Sequence, residues 1–320
     1  MEKFHLLLES EIRKQRFGDV PVSLYEPIRY IMALGGKRLR PMLTLLSYAL
    51  YKNDVEKIMP YAAAVEVFHN FTLMHDDIMD NAPLRRGKAS VHENWNVNTA
   101  ILSGDVMLVK VYDLFLGLEP DRLKEVLQLF NACATGVCEG QQGDMEFESK
   151  KRVTEAQYLE MIRLKTAVLL GFSLELGAVL AGAAVADREI LRDAGISLGI
   201  GFQLKDDLLD VYADKKKFGK QVGGDIIANK KTFLLITALA RAKGKDKKDL
   251  EQWLAVKKFD GRRKVEAVTA IYDKLGIQSI TEDKIQDYFG KGFALLDQLY
   301  PKEEARPLIQ FAQALAERQK

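Results

Sequence analysis

Six aspartates stand in two groups of identical spacing. Asp76, Asp77 and Asp80 occupy HDDIMD, and Asp206, Asp207 and Asp210 occupy KDDLLD, 130 residues further on. In a helix, residues i and i+4 share one face a turn apart. Asp76 therefore pairs with Asp80, and Asp206 with Asp210. Paired like charges are unfavourable unless cations neutralise them. Carboxylate oxygens are hard ligands that suit Mg²⁺, which keeps part of its water shell and bridges protein carboxylates to phosphates. The surrounding segments, VFHNFTLMHDDIMD and IGIGFQLKDDLLDVY, are strongly apolar. Carboxylates embedded there need partners, which argues against two solvated acidic helix ends. Two such clusters could face each other across a cavity in a helical bundle.

Basic residues answer the acids. Lys37, Arg38 and Arg40 lie in GGKRLRP, after a glycine pair that lets backbone approach a phosphate; arginine offers its oxygens bidentate contacts. Arg85 and Arg86 follow the first cluster in PLRRGK. Lys165 and Thr166 interrupt an otherwise apolar run, Lys220 lies in GKQVGGD and Lys230 in NKKT. Two diphosphates of about −3 each and about three Mg²⁺ would bring the six aspartates and Lys37, Arg40, Arg85, Arg86, Lys165, Lys220 and Lys230 close to neutrality, as a low-dielectric cleft requires. One diphosphate would leave the basic residues in surplus.

The elements that must position these residues read as helices almost throughout. Segments 61–80, 123–138, 156–183 and 189–214 are long and rich in Ala, Leu, Met, Glu and Lys. Breakers fall between them, at Gly35-Gly36, Asn81 to Pro83, Glu119-Pro120, Gly219 to Gly224, Gly261 and Tyr300-Pro301. No fixed-period repeat or low-complexity linker appears. The expectation is an all-α fold with one domain over residues 1–320. With 47 basic and 45 acidic residues the net charge is +2, so no global field selects nucleic acid or an anionic membrane. The charged N-terminus, MEKFHLLLESEIRKQ, reads as a soluble helix and not a signal peptide. The nearly apolar stretch 167–185 carries Glu175 and three glycines, so it reads as a buried helix and not a membrane span. Cys133 and Cys138 lack a CxxC pattern and read as two buried thiols in a reducing compartment, which places the chain in the cytoplasm.

GGKRLRP, HDDIMD with RRG, GQQGD near Gln141, KT at Lys165, FQLKDD and GKQVGGD follow in that order, and from Gly35 to Thr232 the chain resembles the trans-isoprenyl diphosphate synthases of the polyprenyl synthetase family. The resemblance implies an orthogonal helical bundle of the isoprenoid synthase type with a central active-site cavity. It implies that Asp76, Asp77, Asp80 and Asp206 hold the metals that clamp an allylic diphosphate, with Asp207 and Asp210 acting directly or through water. Arg85, Lys165, Lys220 and Lys230 would hold the same diphosphate, with Thr166 and Gln203 nearby. Lys37, Arg40, His69 and Arg86 would hold the diphosphate of isopentenyl diphosphate. One departure is Asn229, where the family's short GKxT pattern usually has glycine.

The implied reaction is ionisation, condensation and elimination, with no protein nucleophile. The product tail would run from the Asp76 cluster down the preceding helix, where five residues span about 7.5 Å. Phe71 lies five positions before Asp76, Phe68 eight and Thr72 four. In the family a bulky aromatic at the fifth position is a floor, so Phe71 implies a C15 to C20 product. The family also implies a homodimer. Rival readings are a class I terpene cyclase, which usually carries one aspartate-rich motif and a differently spaced Asn/Ser/Glu motif, a non-catalytic partner subunit, and a helical scaffold. The two full aspartate clusters and GGKRLRP favour the synthase.

Overall fold

Straight-chain residues lose little side-chain freedom in a helix, and in the computed structural model they wind nearly the whole chain into helices. The structure describes residues 1–213, 223–299 and 302–317. The chain gathers into two compact units. The first holds Met1–Ala132, Phe172–Arg192 and Leu299–Leu308; the second holds Cys133–Gly171, Asp193–Gln298 and Ile309–Lys320.

The first unit opens with α1 (Glu2–Lys14), α2 (Val22–Ala33), α3 (Leu39–Ala49) and α4 (Met59–Met79). A two-residue hairpin follows, β1 (Leu84–Arg85) against β2 (Lys88–Ala89), then α5 (Val91–Asn94), α6 (Val97–Phe115) and the start of α7 (Pro120–Ser149). Arg86 and Gly87, at the hairpin tip, have φ of 54° and 75°, the positive pair a type I′ turn demands. Helix α4 is the spine. Its Ala62, Ala63 and Ala64 are fully buried, and it packs along α6. Below it the Phe130 ring meets Phe68 at 5.0 Å, Tyr112 at 5.3 Å, Phe115 at 5.5 Å and Phe172 at 5.9 Å. Each buried phenylalanine of this cluster contributes about 1.5–3 kcal/mol.

The second unit contains α8 (Glu155–Ile162), a π-helical turn (Arg163–Ala167) and the start of α9 (Val168–Ala181). The larger part of α10 (Val185–Tyr212) follows, then α11 (Gly224–Ile227), α12 (Phe233–Arg241), α13 (Gly244–Ala255), α14 (Gly261–Lys274), α15 (Ile277–Leu296) and the end of α16 (Lys302–Ala316). Thr154 and Gln157 form a capping box at the start of α8. The π turn is held from two sides. A Cβ on Gly140 of α7 would lie 2.2 Å from the Lys165 amide nitrogen, and one on Gly199 of α10 would lie 2.6 Å from Ala167 Cα.

The helical segments expected from periodicity are present, with α7 extending well beyond residue 138 and with residue 214, the expected end of the last, outside the described residues. The apolar stretch belongs to a continuous helix over Glu155–Ala181, long and apolar enough to cross a membrane, but 78 % of its most apolar window is buried in the protein. Gly177 brings α9 onto α3, where a Cβ would lie 2.2 Å from the Thr44 carbonyl oxygen. The expectation of two buried thiols needs correction. Cys133 is buried, but Cys138 is exposed, because five residues along α7 turn the second thiol away from the side that buries the first.

Candidate active site

The first aspartate cluster forms the last turn of α4. The Asp80 amide donates to the Asp76 carbonyl over 2.9 Å, so the two residues are one turn apart as the spacing requires. Asp77 points elsewhere. It is buried, and the Arg85 guanidinium grips it with Nε 3.0 Å from Oδ1 and with Nη2 on the same oxygen. Burial pushes the Asp77 carboxyl upward, and Arg85 pulls against that rise. Arg85 Nη2 also lies 3.9 Å from Asp76 Oδ2. Of the three expected metal ligands, Asp76 and Asp80 share a face, while Asp77 is held by Arg85.

GGKRLRP divides its labour. Arg38 adopts φ of 48°, which sends its side chain into the core. There it meets Glu9 and Glu66, each at 2.7 Å, and the Met32 carbonyl at 3.2 Å. Asn70 adds a bond to Glu66 at 3.1 Å. Arg38 is thus an anchor, although its motif groups it with Lys37 and Arg40. Lys37 is exposed. Arg40 Nη1 lies 3.1 Å from Nε2 of His69, on α4. Burial and then the charges of Arg40, Arg86, Arg85 and Arg38 hold the His69 pKa far below its ordinary range. His69 is therefore neutral, with Nε2 accepting from Arg40. Arg86, at the hairpin tip, donates Nη1 to the Gly35 carbonyl. Arg40, His69 and Arg86 belong to one crowded basic region of the first unit, and the exposed Lys37 is close to Arg40 in the chain.

In the second unit the aspartates of α10 also differ from one another. Asp207 is buried; Tyr158 Oη donates to its Oδ2, and Gln203 Nε2 donates to its Oδ1 over 3.0 Å. Thr166 Oγ1 donates to Gln203 Oε1 over 3.0 Å, which makes a relay from the π turn to Asp207. Burial, with the nearby charges of Asp225 and Asp206, pushes Asp207 up to about 8, against the two hydrogen bonds it accepts. Asp210 Oδ2 accepts the Asp225 amide over 2.9 Å at the start of α11. Lys165 Nζ reaches Asp144 Oδ2 at 2.6 Å. Lys230 is exposed just past α11, and Lys220 lies outside the described residues.

Asp144 and Tyr158 were not singled out from the sequence. Asp144 ends the quoted GQQGD, so its presence was legible and its partner was not. Tyr158 had no signal, since a tyrosine on a helix is ordinary core.

Phe71 and Phe68 lie on α4 with their rings 5.7 Å apart, and the Phe71 ring meets the His75 ring at 4.7 Å with the planes tilted by 60°. Phe68 belongs to the buried ring cluster, whereas Phe71 is only half-buried. Thr72 Oγ1 donates to the His69 carbonyl over 2.8 Å. His75 sits against Gly104 of α6, where a Cβ would meet its Nε2 at 2.2 Å.

The donor chemistry fits Mg²⁺. Asp76 with Asp80, and Asp206 with Asp210, are carboxylate pairs at one-turn spacing on α4 and α10. Among the described residues no three His, Cys, Asp or Glu side chains form a metal cage of their own.

A model of the polyprenyl synthetase family matches residues 21–272. The chain is 40 % identical over 265 residues to a short chain isoprenyl diphosphate synthase of Methanocaldococcus jannaschii, covering 82 % of this chain and 81 % of the relative. It is 35 % identical over 306 residues to the geranylgeranyl diphosphate synthase of Methanosarcina mazei, covering 93 % and 91 %. A crystal structure of geranylgeranyl pyrophosphate synthetase from Pyrococcus horikoshii superposes with a TM-score of 0.91 at 34 % identity, covering 99 % of this chain and 96 % of that one. The all-α fold is that of these helical synthases.

Proposed function

The chain belongs to the polyprenyl synthetase family, whose reaction is the head-to-tail condensation of an allylic diphosphate with isopentenyl diphosphate, and within that reaction we propose the following roles for its residues. Lys37, Arg40, Arg86 and neutral His69 hold the diphosphate of isopentenyl diphosphate. Asp76, Asp80 and Asp206 hold about three Mg²⁺ together with the allylic diphosphate, while Asp77, Asp207 and Asp210 act through Arg85, Gln203 and α11. When bound, Mg²⁺ neutralises charge on the departing diphosphate.

Arg85, Lys165, Lys220 and Lys230 orient that diphosphate, and their fixed positive charge favours its departure. Thr166 and Gln203 offer oxygen dipoles beside the allylic cation. The isopentenyl double bond attacks the cation, and the released diphosphate takes the proton. The strongly apolar segments that carry both clusters serve to keep water, which would quench the cation, away from it. The observation that carries this reading is on α4: within about three turns it bears His69 of the basic region and the Asp76–Asp80 pair.

Dimethylallyl, geranyl and farnesyl diphosphates are the proposed primers, and C15 to C20 the product, with Phe71 as its floor. Residues 1–320 are read as one synthase domain in the cytoplasm. A homodimer is supported by α6 and its C-cap, where Leu102, Val109 and Leu116 recur every seven residues and are 58 %, 58 % and 64 % exposed. The test is incubation with labelled isopentenyl diphosphate and each allylic primer, with Mg²⁺ or with chelator. Mg²⁺-dependent elongated products are expected. A hydrocarbon or alcohol made from the allylic substrate alone would replace this reading with a cyclase.

A further inference from the structure

Lys264, on α14, is fully buried, and among the described residues no carboxylate is bonded to it. Its Nζ donates to the Asn229 side-chain oxygen over 2.6 Å and to the Ile227 carbonyl over 3.2 Å, and it lies 4.2 Å from the Phe259 ring centre. A buried ammonium without a counter-charge is expensive unless other groups solvate it. Here an amide oxygen, an orphan carbonyl at the end of α11 and an aromatic face do so.

The groups it binds form the turn that carries Lys230. The Asn229 amide donates to the Ile226 carbonyl over 3.2 Å, and the Lys230 amide donates to the Asp225 carbonyl over 2.9 Å. With φ of 56° at Asn229, this is a Schellman turn with Asn229 in the left-handed position and Lys230 directly after it. Glycine takes that conformation freely, and asparagine less so. The Asn229 side chain is therefore held at both ends, since its Nδ2 also donates to the Leu254 carbonyl over 3.2 Å. At its other end, α11 is tied to the second aspartate cluster through Asp210.

We propose that Lys264 is a positioning residue for the allylic diphosphate site: it locks the left-handed turn at Asn229 and so fixes where Lys230 stands. The asparagine at the position where the resembled GKxT pattern has glycine is then matched by a compensating lysine 35 residues later. The inference rests on the assignment of Lys230 to the diphosphate.

The test is calorimetric titration of inorganic diphosphate with Mg²⁺ into the full-length protein, alongside KM for each substrate. Lys264→Met is expected to weaken diphosphate binding roughly fivefold or more, the equivalent of losing one left-handed lock. It should raise KM for the allylic substrate and leave that for isopentenyl diphosphate within about twofold. In the presence of Asn229→Gly, adding Lys264→Met should change binding by no more than about twofold, because glycine needs no lock. Should Lys264→Met not fold, Asn229→Ala leaves the lysine in place and is expected to weaken binding by a similar factor. Wild-type binding by Lys264→Met or by Asn229→Ala overturns the proposal, as does an equal Lys264→Met loss with and without Asn229→Gly. Lys230→Met separates the two levels. If it binds diphosphate normally, the assignment of Lys230 itself fails; if it binds weakly while Lys264→Met binds normally, only the role of Lys264 fails.

Discussion

The Arg86 guanidinium fills the space that a side chain on Gly36 would need: a Cβ there would lie 3.0 Å from its Cζ and Nη2. Gly36 also has φ of 146°, a conformation other residues rarely take. Its lack of a side chain thus seats an arginine as well as freeing the backbone. Gly36→Ala is expected to displace Arg86 and raise KM for isopentenyl diphosphate roughly tenfold, about 1.4 kcal/mol, with a smaller change for the allylic substrate. Steady-state kinetics with each substrate varied in turn will show it. Equal effects on both would mean that Arg86 does not serve one diphosphate in particular.

Neighbouring basic residues should fail in different ways. Arg38 is buried between Glu9 and Glu66, and removing one member of such a group strands buried charge, at a cost of about 3–5 kcal/mol. Arg38→Met should lower the melting temperature substantially. Lys37→Met, at an exposed position, should leave it nearly unchanged and weaken substrate binding. Thermal unfolding and kinetics of the two variants together check this, and a stable, fully folded Arg38→Met would refute the anchor role.

His69 sets a pH dependence. In the unfolded chain its imidazole titrates near the ordinary value of 6.5, while burial and the nearby arginines hold the folded group far lower. As pH falls through 6.5 the unfolded chain takes up the proton and the folded chain does not. Stability from this group is present above that pH and lost progressively below it. Melting temperature should fall between pH 7.5 and 5.5, and His69→Gln should flatten that slope. An unchanged slope in the variant would assign the dependence to other groups.

Product length tests Phe71. It is half-buried at the edge of the Phe130 cluster, so Phe71→Ala should fold and shift the product mixture toward longer chains on chromatographic analysis. Phe68→Ala should instead lower stability by about 3–5 kcal/mol, because it opens a cavity in the buried rings. Products of unchanged length from Phe71→Ala would remove it as the floor.

Sequence legibility followed the range of each interaction. The pairing of Asp76 with Asp80 is set by helical spacing alone and was readable. The separation of Asp77 from its neighbours was not, because it depends on a hairpin that folds Arg85 back over eight residues. Arg38 and Arg40 look alike in GGKRLRP, and only the left-handed backbone at Arg38 separates the anchor from the arginine that reaches His69. Asn229 stood out as a departure, but its meaning required Lys264 from a different helix. Lys165 was conspicuous as a charge in an apolar run, while its partner Asp144 lay in a motif with no stated role.

The wide turn at Arg163–Ala167, where the Val168 amide reaches back to the Arg163 carbonyl, means that residue number as well as residue type specifies this part of the protein. Such a turn holds one residue more than ordinary winding needs. Excising a single residue there would restore a regular helix and strengthen its local bonding. It would leave the following side chains on their face of the helix and remove the widened path that packs against Gly140 and Gly199. Point substitutions cannot sample that variable; libraries of single-residue deletions and insertions can.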